Sequence, residues 1–272
     1  MNLINGDCLE KMKDISNNSI DLLFCDLPYG QTSCKWDCLI DLELFWKEIN
    51  RICKINCPMF FCCSTKFGVS LINSNPKNFR YDLVWVKSAS CGFLNAKKMP
   101  MKKHEMVYVF YRKLPLYDVS SHQHKILPER KTIDYKNDSF IYGKIDRPDH
   151  MRKNGESSYD PPLPNTIIKT ELYSSDNKEE PRELYRNEGG QYDPPLPNTL
   201  LEIKSEKGKH ATQKPVELIK HLLKYYSKEG DTILDPTMGS GSTGVACKEM
   251  NRNFIGIEKD KKIFKIALER ID

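Results

Sequence analysis

Apolar positions in this chain fall in short dense runs, separated by stretches of helical period. Ile20, Leu22, Leu23, Phe24 and Cys25 crowd the segment from Ser19 to Asp26. A run that continuous predicts a strand buried on both faces. Leu42, Phe45, Trp46, Ile49 and Ile52 then recur at helical intervals, predicting a helix within 39–53. Pro58–Cys63 predicts a second buried strand, and Phe67 opens a short helix closed by Asn75-Pro76. Tyr81–Val86 and Glu105–Tyr111 predict two more strands. Near the other end, Leu218, Ile219, Leu222, Leu223 and Tyr226 mark a helix over 216–226, with Pro215 near the first helical position. A turn into a strand follows at 230–235, a glycine-rich turn into a helix at 239–250, a strand at 253–258 and a helix at 261–271. Strands alternating with helices predict an α/β fold, a mostly parallel sheet with helices on both faces.

The middle of the chain breaks this rhythm. From Leu114 to about Lys209 it is rich in Pro, Asn, Asp, Ser and Tyr. Tyr159-Asp160-Pro161-Pro162-Leu163-Pro164-Asn165-Thr166 recurs as 192–199, 33 residues later. Two copies are too few for a solenoid. A duplicated, turn-rich unit inserted within an α/β domain is the reading, with Ile167-Ile168 and Leu200–Ile203 as short strands. The expected organisation is 1–113 and 208–272 as two halves of one domain, with 114–207 inserted between them.

Composition narrows the classes. A chain of 272 residues fits one large domain, or a domain carrying an insertion. It buries roughly three-quarters of its unfolded surface, so it needs no staple of metal or disulfide. No apolar run reaches the roughly 18 residues of a membrane-spanning helix, and Met1–Asp7 resembles no secretory signal. The ten cysteines sit mostly in apolar runs, as at Cys25, Cys62 and Cys63, where a thiol acts as a small hydrophobe. A reducing, cytoplasmic setting is expected. Cys34-x3-Cys38 and Cys53-x3-Cys57 approach zinc-pair spacing. Without a CxxC pair, no metal site is expected.

Charge changes the picture further. The formal net charge is +5, yet residues 114–209 hold 15 basic and 17 acidic residues, so the rest carries +7. The excess concentrates at 83–104, where Lys87, Lys97, Lys98, Lys102 and Lys103 occur without one acid. Lysines on a loop beside strand ends suit contacts to a phosphate backbone. Base reading by the insertion would draw on Arg147, Arg152, Asn154, Arg182, Arg186, Asn187 and Gln191. The six histidines show no metal-ligand spacing.

Two segments carry candidate chemistry. Leu234–Gly244, with Gly239, Gly241 and Gly244, lies between a strand and a helix, where glycines admit a ligand close to the backbone. Glu258 ends the next strand, and an acid there can accept both hydroxyls of a ribose. Together they predict an adenosine-containing cofactor. No Lys-Ser/Thr follows the glycines, so this is no P-loop. Asp26-Leu27-Pro28-Tyr29 follows a buried strand directly, and open α/β sheets bind ligands at such carboxyl ends. An acceptor beside a flat aromatic ring suits an amine on a planar heterocycle. Asp160-Pro161-Pro162 and Asp193-Pro194-Pro195 are near-copies that follow no apolar strand and have Leu in place of the aromatic.

Asp26-Leu27-Pro28-Tyr29 resembles the (D/N/S)PPY motif of amino-methylating DNA methyltransferases. Asp235-Pro236-Thr237-Met238-Gly239-Ser240-Gly241 resembles their S-adenosylmethionine motif, and Thr212-Gln213-Lys214-Pro215 the segment preceding it. Asn5-Gly6-Asp7-Cys8, Thr32-x3-Trp36-Asp37 and His104-Glu105 are similar to further pieces found there. The order, catalytic motif first, resembles the β group. The likeness covers about 1–113 and 208–272. It departs at Leu27, which replaces the first proline, and at Met238, where many members have a smaller or aromatic residue.

The resemblance implies a Rossmann-like S-adenosylmethionine-dependent methyltransferase sheet with an inserted target-recognition region. It implies catalysis by Asp26, Leu27, Pro28 and Tyr29 on a base rotated out of double-stranded DNA. Cofactor contacts would fall on Asp7, Cys8, Asp26, Gln213, Lys214 and Pro215. Others would come from Asp235, Pro236, Thr237, Met238, Gly239, Ser240, Gly241, Ser242 and Thr243, with Glu258 and Lys259. Trp36 and the five lysines would face DNA. Asp in the catalytic motif points to the N6 amine of adenine. N4 of cytosine is the alternative, and a nicotinamide-dependent oxidoreductase the rival from another class. A homodimer and a cognate restriction endonuclease are partners such a resemblance suggests.

Overall fold

The structure, a computed structural model, describes residues 1–28, 39–92, 97–121, 123–126, 138–139, 143–144, 157–160, 167–168 and 213–272. The first half of the main unit runs β1 (Asn2–Asn5), α1 (Cys8–Lys11), β2 (Leu22–Cys25), α2 (Leu42–Ile52), β3 (Met59–Cys63), α3 (Thr65–Ser74), β4 (Phe79–Cys91) and β5 (Lys102–Phe110). A separate compact unit, Asp118–Asn165, holds two small antiparallel pairs. These are β6 (Gln123–Ile126) with β9 (Ser157–Asp160), and β7 (Asp138–Ser139) with β8 (Gly143–Lys144). The chain returns through β10 (Ile167–Ile168), α4 (Val216–Tyr226), β11 (Thr232–Asp235), α5 (Ser242–Glu249), β12 (Asn253–Glu258) and α6 (Lys261–Ile271).

The main sheet has eight strands in the order β1-β12-β11-β2-β3-β5-β4-β10. All neighbours pair in parallel except β5, which runs antiparallel to both β3 and β4. Alternate residues of the apolar runs feed two cores. Leu23, Cys25, Met59, Phe61 and Cys63 join the core that includes Phe45, Trp46, Ile49 and Ile52 of α2. Leu22, Phe24, Phe60 and Cys62 join the core that includes Leu218, Ile219, Leu222 and Leu223 of α4. This two-sided burial is the reason the strands carry no polar alternation. Phe61 meets Phe45, Trp46 and Phe110 edge-on at ring separations of 5.4–6.1 Å. Deleting such a ring costs about 3–5 kcal/mol.

Local chemistry sets the helix ends. Asp41 caps α2 by accepting from the amides of Glu43 and Leu44, and Asp260 caps α6 through Lys262 and Ile263. Pro215 is the N-cap of α4, one position before the first helical residue. Cys53 caps the end of α2, and both Cys53 and Cys57 are buried in the core. Of the features that went unpredicted, two belong to the main sheet. β1 is an edge strand of two apolar residues flanked by asparagines, too short for a periodic signal. β4 runs to Cys91, well past the predicted 86, and returns as an antiparallel partner rather than through a helix. The predicted strand Ile167-Ile168 is β10 and belongs to the main sheet. Leu200–Ile203, most of the repeat, and the proposed base-reading side chains lie outside the described residues.

Candidate active site

Four acids stand in a row at the carboxyl ends of four adjacent parallel strands. Asp7 follows β1, Glu258 ends β12, Asp235 ends β11 and Asp26 follows β2. They line a cavity of about 600 Å³, a size suited to a cofactor. This is the placement an open α/β sheet gives its ligands.

The glycine-rich turn closes one wall. Gly239 and Gly241 adopt φ of +52° and +83°, and Gly241 is the N-cap of α5. A Cβ on Gly241 would meet Ile271 at 2.8 Å, so the position is closed to other residues on two counts. The amide of Gly239 donates to Glu258 at 3.1 Å, and the amide of Asp260 donates to the other oxygen of Glu258 at 2.7 Å. Burial nevertheless pushes the Glu258 carboxyl up. Asp235 accepts from the Thr237 amide at 3.1 Å and the Thr243 hydroxyl at 2.6 Å. Burial outweighs both donors and raises Asp235 to about 7. Asp7 caps α1 through the Leu9 amide and meets Lys259 at 3.0 Å. The large side chain of Met238 fits because β12 has Gly256 beside it: a Cβ there would come within 2.4 Å of the Met238 sulfur.

The second wall is ionic: Asp26 and Lys214 line the cavity, and Glu105 and Lys87 continue the charge pairs outside its lining. Lys214, buried ahead of α4, donates to Asp26 Oδ2 at 2.6 Å and lies 3.0 Å from Glu105 Oε1. Lys87 holds Glu105 Oε2 at 2.7 Å. Asp26 Oδ1 is shielded from solvent and has no hydrogen-bond partner among the described residues. Burial pushes the Asp26 carboxyl up, against the pull of the Lys214 ammonium. Glu105 is also penalised by burial, but the Lys214 and Lys87 ammoniums prevail and hold it at about 2. The Thr237 hydroxyl donates to the backbone carbonyl of Asp26 at 3.1 Å, joining the two walls. Leu27 is 2% exposed, its side chain in the core, which accounts for a leucine at that position.

The cavity thus gathers Asp7, Cys8, Asp26, Leu27, Pro28, Gln213, Lys214, Asp235, Pro236, Thr237, Met238, Gly239, Ser240, Ser242, Thr243, Glu258 and Lys259. Pro215 and Gly241 support it from the caps of α4 and α5. Tyr29 and Trp36 lie outside the described residues. The lysine group does not form the single basic loop expected. Lys87 sits within β4 and Lys103 within β5, where Lys103 is buried and Lys87 is tied to Glu105. Lys97, Lys98 and Lys102 are exposed. Sequence reasoning missed Leu39, Ile40, Asp41 and Ile263, which also line the cavity. They lack a motif and come together only through the fold. Among the described residues no three His, Cys, Asp or Glu side chains gather as a metal set, and no helix is long and apolar enough to cross a membrane.

The residues fit a nucleoside-bearing sulfonium donor. Backbone amides and hydroxyls enter at the start of α5, acids stand at the strand ends, and on the cavity wall the buried Asp26 Oδ1 has no donor among the described residues. Residues 20–269 match the family model described as DNA methylase. A curated relative, the DNA adenine methyltransferase YhdJ of Escherichia coli K12, is 28% identical over 99% of this chain and 82% of its own length. Higher identities of 48–51%, to Type II methyltransferases, are confined to 65–71 residues that span only 21–26% of those relatives. Among solved structures, the M1.HpyAVI–SAM complex superposes with a TM-score of 0.58 at 21% identity, covering 99% of this chain and 98% of that one. The cytosine-N4-specific PvuII DNA methyltransferase superposes with a TM-score of 0.59 at 14% identity, covering 99% and 86%.

Proposed function

The chain belongs to the DNA methylase family, and from that premise we propose that it transfers a methyl group from S-adenosylmethionine to the N6 amine of adenine in double-stranded DNA. The observation that carries this is Asp26. Its carboxylate stands at the end of β2 on the cavity wall, with Oδ2 held by Lys214 and Oδ1 buried without a partner among the described residues. A buried acceptor left open is costly unless a donor arrives. The exocyclic amine of a base rotated out of the duplex is such a donor.

When bound, S-adenosylmethionine supplies an electrophilic methyl group. The protein's part is to present a nucleophile to it. Asp26 Oδ1 and the Leu27 carbonyl accept the two amine hydrogens, leaving the nitrogen lone pair free for attack. Tyr29 stacks on the base. The carboxylate would stabilise the positive charge that develops on nitrogen as the methyl carbon exchanges its bond to sulfur for one to nitrogen, the thioether leaving with the sulfur's electron pair. The amine's surplus proton would pass by way of Asp26 to solvent, and the two walls fix the approach. Asp7, Glu258 and the Gly239–Thr243 turn hold the adenosine. Lys97, Lys98 and Lys102 contact phosphates.

Support for adenine comes from the Asp in the catalytic motif and from the likeness to the DNA adenine methyltransferase YhdJ. The PvuII likeness supports cytosine N4 as the second reading. Residues 114–207 serve as the target-recognition region, and a paired restriction endonuclease and a homodimer belong to the same proposal. The test is incubation of the protein with labelled S-adenosylmethionine and unmethylated duplex DNA, followed by nucleoside analysis. N6-methyladenine is expected. N4-methylcytosine would overturn the base assignment, and unlabelled DNA would overturn the reading as a whole.

A further inference from the structure

Resting on that reading, we propose that Lys214 and Glu105 are positioning residues for Asp26, and that Lys87 anchors them rather than touching DNA. The four side chains form one line of alternating charge. Lys87 Nζ lies 2.7 Å from Glu105 Oε2, Glu105 Oε1 lies 3.0 Å from Lys214 Nζ, and Lys214 Nζ lies 2.6 Å from Asp26 Oδ2. They come from four places: the end of β2, β4, β5 and the segment before α4. The side chains of Lys214 and Glu105 are only 8% and 9% exposed. Buried charges survive only when paired, and paired here means geometrically fixed.

The arrangement has a direction. Lys214 occupies one oxygen of Asp26 and leaves the other open, so the carboxyl is oriented, and the ammonium favours its charged form against the opposing effect of burial. Glu105 stands 3.0 Å from the same ammonium as its second counter-ion and holds it beside Asp26. Lys87, over the Trp85 ring at 5.1 Å, balances the second carboxylate. The two cations and two anions sum to zero, which suits a site that excludes water. The chemistry of the motif residues alone assigns Lys214 to the cofactor and Lys87 to phosphate; the geometry assigns both to Asp26. Other titratable groups near Asp26 among the described residues are Asp235 and the thiols of Cys25, Cys62 and Cys63. The burial-raised thiols stay neutral at moderate pH, and Asp235 is common to all the variants below.

Two substitutions move the acid in opposite directions. Lys214→Met removes the cation, so Asp26 needs higher pH to ionise. Glu105→Gln removes an anion and leaves two lysines, so Asp26 ionises at lower pH. Carboxylate-carbon NMR titration of Asp26 reads this without substrate. Methyl transfer at saturating cofactor reads the consequence. Expected are an upward Asp26 midpoint and an acid limb displaced upward in Lys214→Met, with kcat down about 100-fold. Cofactor affinity should hold within a few-fold, and Lys214→Arg should recover part of kcat. Glu105→Gln should displace both midpoint and limb downward. In Lys87→Gln, DNA affinity and its salt slope should be unchanged while kcat falls.

Loss of cofactor affinity in Lys214→Met with kcat intact would overturn the proposal in favour of a cofactor contact. A weaker, less salt-dependent DNA complex in Lys87→Gln would overturn the anchoring role. Should Lys214→Met fail to fold, Glu105→Gln and Lys87→Gln still decide, since an Asp26 midpoint that ignores both would contradict the line of charge. A wild-type protein that leaves DNA unlabelled overturns the proposed function, while the titrations test the positioning independently.

Discussion

The two walls of the cavity are built on different principles. Around β1, β12 and β11, acids are answered mainly by the backbone and by a hydroxyl, with one exposed ion pair between Asp7 and Lys259. Glu258 takes two amides, Asp235 an amide and a hydroxyl, and Asp7 caps a helix. Around β2, β4 and β5, side-chain charge is answered by side-chain charge, and one oxygen of Asp26 is left open. The first wall is a preformed cradle whose shape depends on the chain path. The second is an adjustable electrostatic device. On the proposed function, binding belongs to the former, and the capacity to act on an incoming amine belongs to the latter.

Substitutions can break this contrast at several strengths. The largest effect is expected from Asp26→Ala, which should lower the single-turnover rate of methyl transfer by about 10³-fold. Next is Glu105. Its folded carboxyl is held at about 2, below its ordinary value of 4.5. Its ionisation therefore stabilises the fold above pH 4.5, and that stability is lost as pH falls toward 2. The loss amounts to roughly 3 kcal/mol across the window. Urea unfolding of Glu105→Gln at pH 3 and pH 6 should show the corresponding part of the pH dependence gone. On the cradle side, Gly241→Ala forces a left-handed φ and a 2.8 Å contact with Ile271. It should cost about 2 kcal/mol in thermal unfolding and weaken the cofactor complex. The smallest effect is Asp7→Ala, which removes the cap of α1 and should cost about 1 kcal/mol.

Much of the cradle was legible in the sequence. Glycines after an apolar strand, a following helix and an acid at the end of the next strand are local signals, all within about 25 residues. Those elements fold where the pattern puts them, and helices 216–226 and 261–271 match to the residue. The charged wall was less legible. Lys214 and Asp26 are 188 positions apart, and only sheet closure brings them together. Lys87 read as a phosphate contact because its neighbours lack acids, while its real partner, Glu105, sits across the β4–β5 pair, where Trp85 and Glu105 are in register. The alternation of strands and helices elsewhere predicted a mostly parallel sheet, so the antiparallel return was not foreseen. Leu27 and Met238 departed from the family pattern for reasons only packing reveals, a core pocket for one and Gly256 for the other.

On the proposed function, binding and transfer reside on separate walls. The direct measurement is calorimetric titration of S-adenosylmethionine beside single-turnover methyl transfer to duplex DNA, for Asp26→Ala and Glu258→Ala together. Asp26→Ala should bind the cofactor within a few-fold of wild type and fail to transfer. Glu258→Ala should lose about tenfold in affinity and keep most of its rate at saturation. Parallel loss of affinity and rate in both variants would contradict the account.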